Sequence, residues 1–190
     1  LHIGLTPSSV SIMSDYLVRF ASKYSDIHFD IHEGSTFALK NELENGLVDI
    51  TTLRTPIVLN ECNTCVLLQE NLVAMAIPGF FDIEYTNISL KELSQKSLIL
   101  SHRYRKYIIS AFEDNGLTCD IYCECEDART AITLAEHGLG VAILPSSMRE
   151  LNPCLYAYSI KDTNLSTEIL LAWRDERIPI EVEKFLSELK

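Results

Sequence analysis

The stretch EHGLGVAILP, Glu136 to Pro145, sets two glycines one residue apart before an unbroken apolar run that ends at proline. A surface hairpin would alternate polar and apolar residues, and a long helix would not tolerate the glycine pair. The reading that fits is a helix stopped by Gly138 in the left-handed conformation, then a turn in which Gly140 allows close backbone approach. VAIL (Val141 to Leu144) follows as a strand, apolar throughout because helices cover both faces of its sheet. Pro145 stands where the ladder needs no further donor. Ten residues thus predict a parallel α/β arrangement.

The same order extends outward on both sides. Before the stretch come strand SLIL (97–100), a helix carrying Tyr104, Ile108 and Phe112, strand DIYCECE (120–126), and a helix capped by Asp127 with Ala131, Ile132 and Ala135 on one face. Near the start come strand LHIGL (1–5), a helix with Met13, Tyr16, Leu17, Phe20 and Tyr24 at helical spacing, and strand IHFDIHE (27–33). A helix capped by Ser35 and ending at Gly46 then leads to strand LVDITTL (47–53). Strands alternating with helices imply parallel sheets, and two such runs imply two Rossmann-like lobes joined by crossing strands. CVLLQENLVAMAIPG (65–79) reads as two extended segments bridging the lobes, and LYAYSI and TEILLAWR as extended returns. ISLKEL holds a capping box, Ser89 to Glu92, and a last helix from about Ile178 buries Val182, Phe185, Leu186 and Leu189. Residues 1–77 with 157–190 are expected to form lobe I, and 78–156 lobe II. No Gly/Ser linker, low-complexity tract or close repeat interrupts them.

Composition bounds the function. The 190 residues are 47% hydrophobic and 23% charged, as in ordinary globular domains, and no apolar run reaches the ~20 residues of a membrane span. A formal net charge of -11, with RYRK (103–106) the one basic cluster, leaves no surface to replace phosphate counterions, so these residues do not grip DNA themselves. No GxSxG elbow or phosphate loop occurs, and GLG falls short of a dinucleotide fingerprint. No catalytic residue, cofactor or metal site is therefore expected. The five histidines form no helical metal-binding pair, and His28 and His32 are expected to face solvent from a strand. The six cysteines read as reduced thiols of a cytoplasmic protein. CNTC (62–65) has zinc or redox spacing, but no helix pattern follows it, so its cysteines read as loop and core thiols.

Taken in order, LHIGL, HEGST, ELENGLVDI, ISLKEL, FEDNG, AEHGLGVAILPSSM and LLAWR resemble the effector-binding domain of LysR-type transcriptional regulators over nearly the whole chain. ENGLVDI (44–50) and GLGVAILP (138–145) are the most specific parts. PGFFDIEY (78–85) and NECNTC depart from the common pattern. The resemblance implies a fold like the type 2 periplasmic binding proteins. It also implies a winged helix-turn-helix preceding this fragment, through which alone DNA would be bound, and work as a homodimer or homotetramer. The effector would be a small molecule in an interlobe cleft, and no membrane partner is implied. The runner-up is an exported solute-binding protein of a transporter.

Ligands in open parallel sheets sit beyond the carboxyl ends of strands, where helix N-termini favour anions. TPSS supplies Thr6, Ser8 and Ser9; GST supplies Ser35 and Thr36; LRT supplies Arg54; SHR supplies Ser101 and His102. That inventory suits a small anion. Ser9 and Ser35 equally suit helix caps, and Arg54 equally suits an acidic partner. For Gly140 and Val141 the resemblance suggests backbone or apolar contact with the effector.

Overall fold

The computed structural model describes residues 1–82, 84–175 and 178–189. In chain order the elements are β1 (His2–Leu5), α1 (Val10–Lys23), β2 (Asp30–Glu33), α2 (Thr36–Glu44), β3 (Ile50–Arg54), β4 (Cys62–Ala76), β5 (Asn87–Ile88), α3 (Leu90–Leu93) and β6 (Ser97–Ser101). There follow α4 (Arg105–Asp114), β7 (Asp120–Cys125), α5 (Ala128–Glu136), β8 (Val141–Pro145), β9 (Tyr156–Ile160), β10 (Ser166–Arg174) and α6 (Ile180–Ser187). The chain divides into two compact units, Leu1–Gln69 with Glu168–Lys190, and Glu70–Thr167. The divisions fall inside β4 and β10, not at 77/78 and 156/157. Both strands run through their boundary without a turn residue to mark it, and β4 is one strand where two extended segments were expected.

In the first unit β1 pairs in parallel with β2 and β3, and β10 pairs antiparallel with β3. Alternate side chains of each strand feed two apolar layers. Ile3, Leu5, Ile50 and Leu171 pack with Met13 and Phe20 of α1 and with Val182 and Phe185 of α6. Leu53 and Ala172 face the other way, onto Leu39 and Leu43 of α2. β2 is four residues long because its partner β1 offers only His2 to Leu5; Ile27 and Phe29 pack on the core before the strand begins. Gly46, with φ +72°, closes α2 in the left-handed conformation, as its sequence position implies.

The second unit is built on β6, parallel to β7 on one side and β8 on the other, with β4 antiparallel beyond β8. Leu98, Leu100, Val141 and Ile143 face Ile108 and Phe112 of α4, while Ile99, Ala142 and Leu144 face Ala131, Ile132 and Ala135 of α5. This two-sided burial is why VAIL contains no polar residue. Gly138 has φ +78°. A Cβ on Gly140 would lie 2.5 Å from the Ser97 carbonyl oxygen, so the second glycine exists for contact with β6.

CNTC lies within β4. Residues three apart on a strand point to opposite faces, and Cys62 and Cys65 join separate apolar clusters. Burial pushes both thiols up. With the two side chains on opposite faces, chelating spacing in the sequence is not a chelating pair in the fold.

Candidate functional site

The parallel strands of the first unit end together at Leu5, Glu33 and Arg54, and the loops that leave them share one hydrogen-bonded cluster. Thr6 starts the turn between β1 and α1; its N–H donates to Thr52 Oγ1 at 3.0 Å and its hydroxyl to Ser9 Oγ at 3.1 Å. Ser9 Oγ lies 2.8 Å from the Thr6 carbonyl and 2.5 Å from Thr52 Oγ1. Thr6, Ser9 and Thr52 are all buried, so these hydroxyls satisfy one another where water does not reach. Ser9 therefore does not cap α1. Its hydroxyl is consumed in fixing the β1–α1 turn against β3. Ser35, by contrast, is a cap: its hydroxyl accepts the Ala38 N–H at 3.3 Å, and it is itself exposed.

Arg54, the last residue of β3, is 4% exposed. Its backbone N–H donates to Thr36 Oγ1 at 3.1 Å, and its Nε donates to Ser8 Oγ at 2.6 Å. The guanidinium is thus anchored to the loop after β1, and its backbone to the N-terminus of α2. A fixed fork of this kind is pre-organised for a carboxylate or phosphate in a way a lysine is not. Thr6, Ser8, Ser9, Thr36 and Arg54 come together, with Ser35 next in the chain. Thr52, absent from the sequence-derived set, is the buried hydroxyl that links the turn to β3. Its signal was the polar pair Thr51–Thr52 between the apolar Ile50 and Leu53 of one strand.

The second unit treats its candidates differently. Ser101 ends β6, buried, opposite Cys125. His102 is exposed, 3.6 Å from Glu124, which also accepts from Arg105 Nε at 2.8 Å, so its imidazole lies beside an ion pair at the surface. Gly140 and Val141 are fully enclosed and sit beside Ser97 and Leu98, at the amino end of β6, whereas Ser101 lies at the carboxyl end. The parallel register therefore separates them from Ser101. A polar node unanticipated in sequence lies at Glu70, which is buried and accepts from the Ser146 and Ser147 hydroxyls at 2.9 Å each and from the Ser147 N–H. It fixes the turn after β8 to β4.

Residues 1–190 match the family described as the LysR substrate binding domain. The chain belongs to that family. The LysR-type assignment is carried by the match along the full sequence, and relatives agree with it. The regulator CatR of Pseudomonas putida is 24% identical, with 98% of this chain and 66% of CatR covered. The regulator YnfL of Escherichia coli is 28% identical, with 91% and 61% covered. The LysR-type domain thus spans somewhat less than two thirds of these relatives' length. Among solved structures, the effector-binding domain of QuiR in complex with shikimate superposes with a TM-score of 0.87 at 19% identity, covering 100% of this chain and 94% of that one. The BenM effector-binding domain with benzoate gives 0.83 at 17% identity, covering 100% and 89%. These likenesses show the type 2 periplasmic-binding-protein-like fold. CatR and YnfL are named as transcriptional regulators, which sets the family apart from enzymes and weighs against the transporter reading. No helix among the described residues is long and apolar enough to cross a membrane.

Proposed function

We propose that this domain is the sensor of a cytoplasmic LysR-type transcription factor, and that Arg54 and the hydroxyl loops around it hold the acidic group of a small metabolite. The observation that carries the reading is the Arg54 side chain, buried at a strand end and oriented by Ser8 within a cluster of hydroxyls. The N-terminus of α2 contributes backbone N–H groups at the same end of the sheet. Shikimate and benzoate, bound by the structural neighbours, both carry a carboxylate. Ligand binding would favour one geometry of a dimer or tetramer by its differential affinity, and so reposition DNA-binding segments borne elsewhere in the longer protein.

Calorimetry with a panel of small carboxylates tests this. The best ligand should bind at least ~10-fold more tightly than its uncharged amide, the size expected when a charge-assisted hydrogen bond is lost. Ser8→Ala, which releases Arg54 Nε, should weaken the carboxylate selectively. Equal affinity for carboxylate and amide, or no binding by any member of the panel, would overturn the anion reading without any variant having to fold.

A further inference from the structure

Apart from the hydroxyl cluster, the first unit gathers His2, Asp30 and His32 on one patch of its sheet edge. Parallel pairing sets His2 opposite Asp30 and Gly4 opposite His32, so the three side chains share one face of the two adjoining strands. Asp30 Oδ2 lies 3.1 Å from His2 Nδ1 and 3.6 Å from His32 Nε2. One ligating atom from each residue falls within 4.8 Å of the other two. On its other side, His32 Nδ1 lies 2.8 Å from Glu42 Oε2 of α2. The sequence-derived expectation that His32 simply meets solvent therefore fails: it is held between two carboxylates.

We propose that His2, Asp30 and His32 form a binding site for one divalent transition-metal ion of the zinc type, with Glu42 as the positioning residue for His32. Donor chemistry supports this, since two imidazoles and a carboxylate are a zinc ligand set that leaves a position for water. The dimensions support it too. Bonds of about 2.0–2.2 Å in tetrahedral geometry separate neighbouring ligand atoms by roughly 3.4 Å, and the two short separations here bracket that value. Glu42 gives the third argument. Its carboxylate lies 2.8 Å from Nδ1 and holds the ring with Nε2 toward Asp30, the outer-shell arrangement that orients a histidine ligand. β2 is the outer strand of its sheet, so an ion reaches the group directly from solvent. This inference is independent of the effector reading.

Zinc chloride titrated into the chain at neutral pH, followed by calorimetry, should show one equivalent bound. His2→Ala, Asp30→Asn and His32→Ala should each weaken it at least tenfold, and Glu42→Gln by about 10–100-fold, as for outer-shell partners generally. His28→Ala, an exposed histidine just before the same strand, should change nothing. The side chains of His2 and Asp30 are 54% and 64% exposed, so those two variants keep the fold. Cobalt(II) supplies the second measurement, because its spectrum at this site should lack a thiolate charge-transfer band. Absence of zinc binding, binding indifferent to the three ligand variants, or a thiolate band would each overturn the proposal.

Discussion

Replacing Gly140 by alanine should destabilise the second unit by about 1–3 kcal/mol, the range for forcing an extra carbon into a packed interior. The new Cβ would stand 2.5 Å from the Ser97 carbonyl oxygen and 3.3 Å from its carbon. An ordinary carbon–oxygen contact is about 3.3 Å, so roughly 0.8 Å must be found. Ser97 cannot yield alone, because β6 is paired with β7 through Ser97 and Asp120 and with β8 through Leu98 and Val141. Gly138 is the control. Its φ of +78° penalises alanine by about 1–2 kcal/mol, but what a new Cβ meets, beyond its chain neighbours and among the described residues, is the flexible tip of Ile77, at 3.3 Å. Asparagine separates the two causes, since it tolerates the left-handed conformation yet is larger than alanine. Gly138→Asn should recover stability relative to Gly138→Ala, whereas Gly140→Asn should be worse than Gly140→Ala. Urea unfolding by circular dichroism measures all four variants, and amide exchange in β6 and β8 localises the effect. A Gly140→Ala protein within about 0.5 kcal/mol of its parent, or equal penalties for the two asparagines, would refute the argument.

Thr36→Val, close in shape, removes the acceptor of the buried Arg54 N–H and should lower stability by about 1–3 kcal/mol in a urea melt, while Thr36→Ser should not. The Ser89 capping box holds the Glu92 carboxyl below the ordinary range, through the Ser89 hydroxyl first and its backbone N–H second. A depressed folded-state pKa stabilises above the unfolded value and is lost as pH falls through the folded one. Stability should therefore drop across the acid range, and Ser89→Ala, costing about 1 kcal/mol at neutral pH, should flatten that part of the profile in melts taken at successive pH values.

The elements most legible in the sequence are those whose signals are local. Asp127, Ser35 and the Ser89–Glu92 box announce helix starts, and Gly46, Gly116 and Gly138 announce ends, because caps and left-handed residues act within a few positions. The all-apolar VAIL revealed its two-sided burial for the same reason. What depends on register was hidden. Alternation within IHFDIHE puts Asp30 and His32 on one face, but nothing in it says that His2 will stand beside them, since that follows from which residue of β1 each one faces. Register likewise put Gly140 beside Ser97, at the opposite end of β6 from Ser101. The hydroxyl loops of the candidate site were readable as strand-end positions, and Ser35 as a cap, but not that Ser9 would be buried against Thr6 and Thr52 instead of capping α1.

The discontinuity of the first unit sets an order on synthesis. β3 needs β10 as its neighbour, and the core beneath α1 needs Val182 and Phe185, yet residues 70–167 are made in between. At ribosomal speeds the opening β1–α1–β2–α2–β3 run waits roughly 5–20 s with the β10-facing edge of β3 uncovered. The second unit is contiguous and can close in that interval. Nascent chains stalled just short of β10 should accordingly protect the second unit from protease while the first remains open. The early strands are thus the part that most needs a chaperone's shelter during translation.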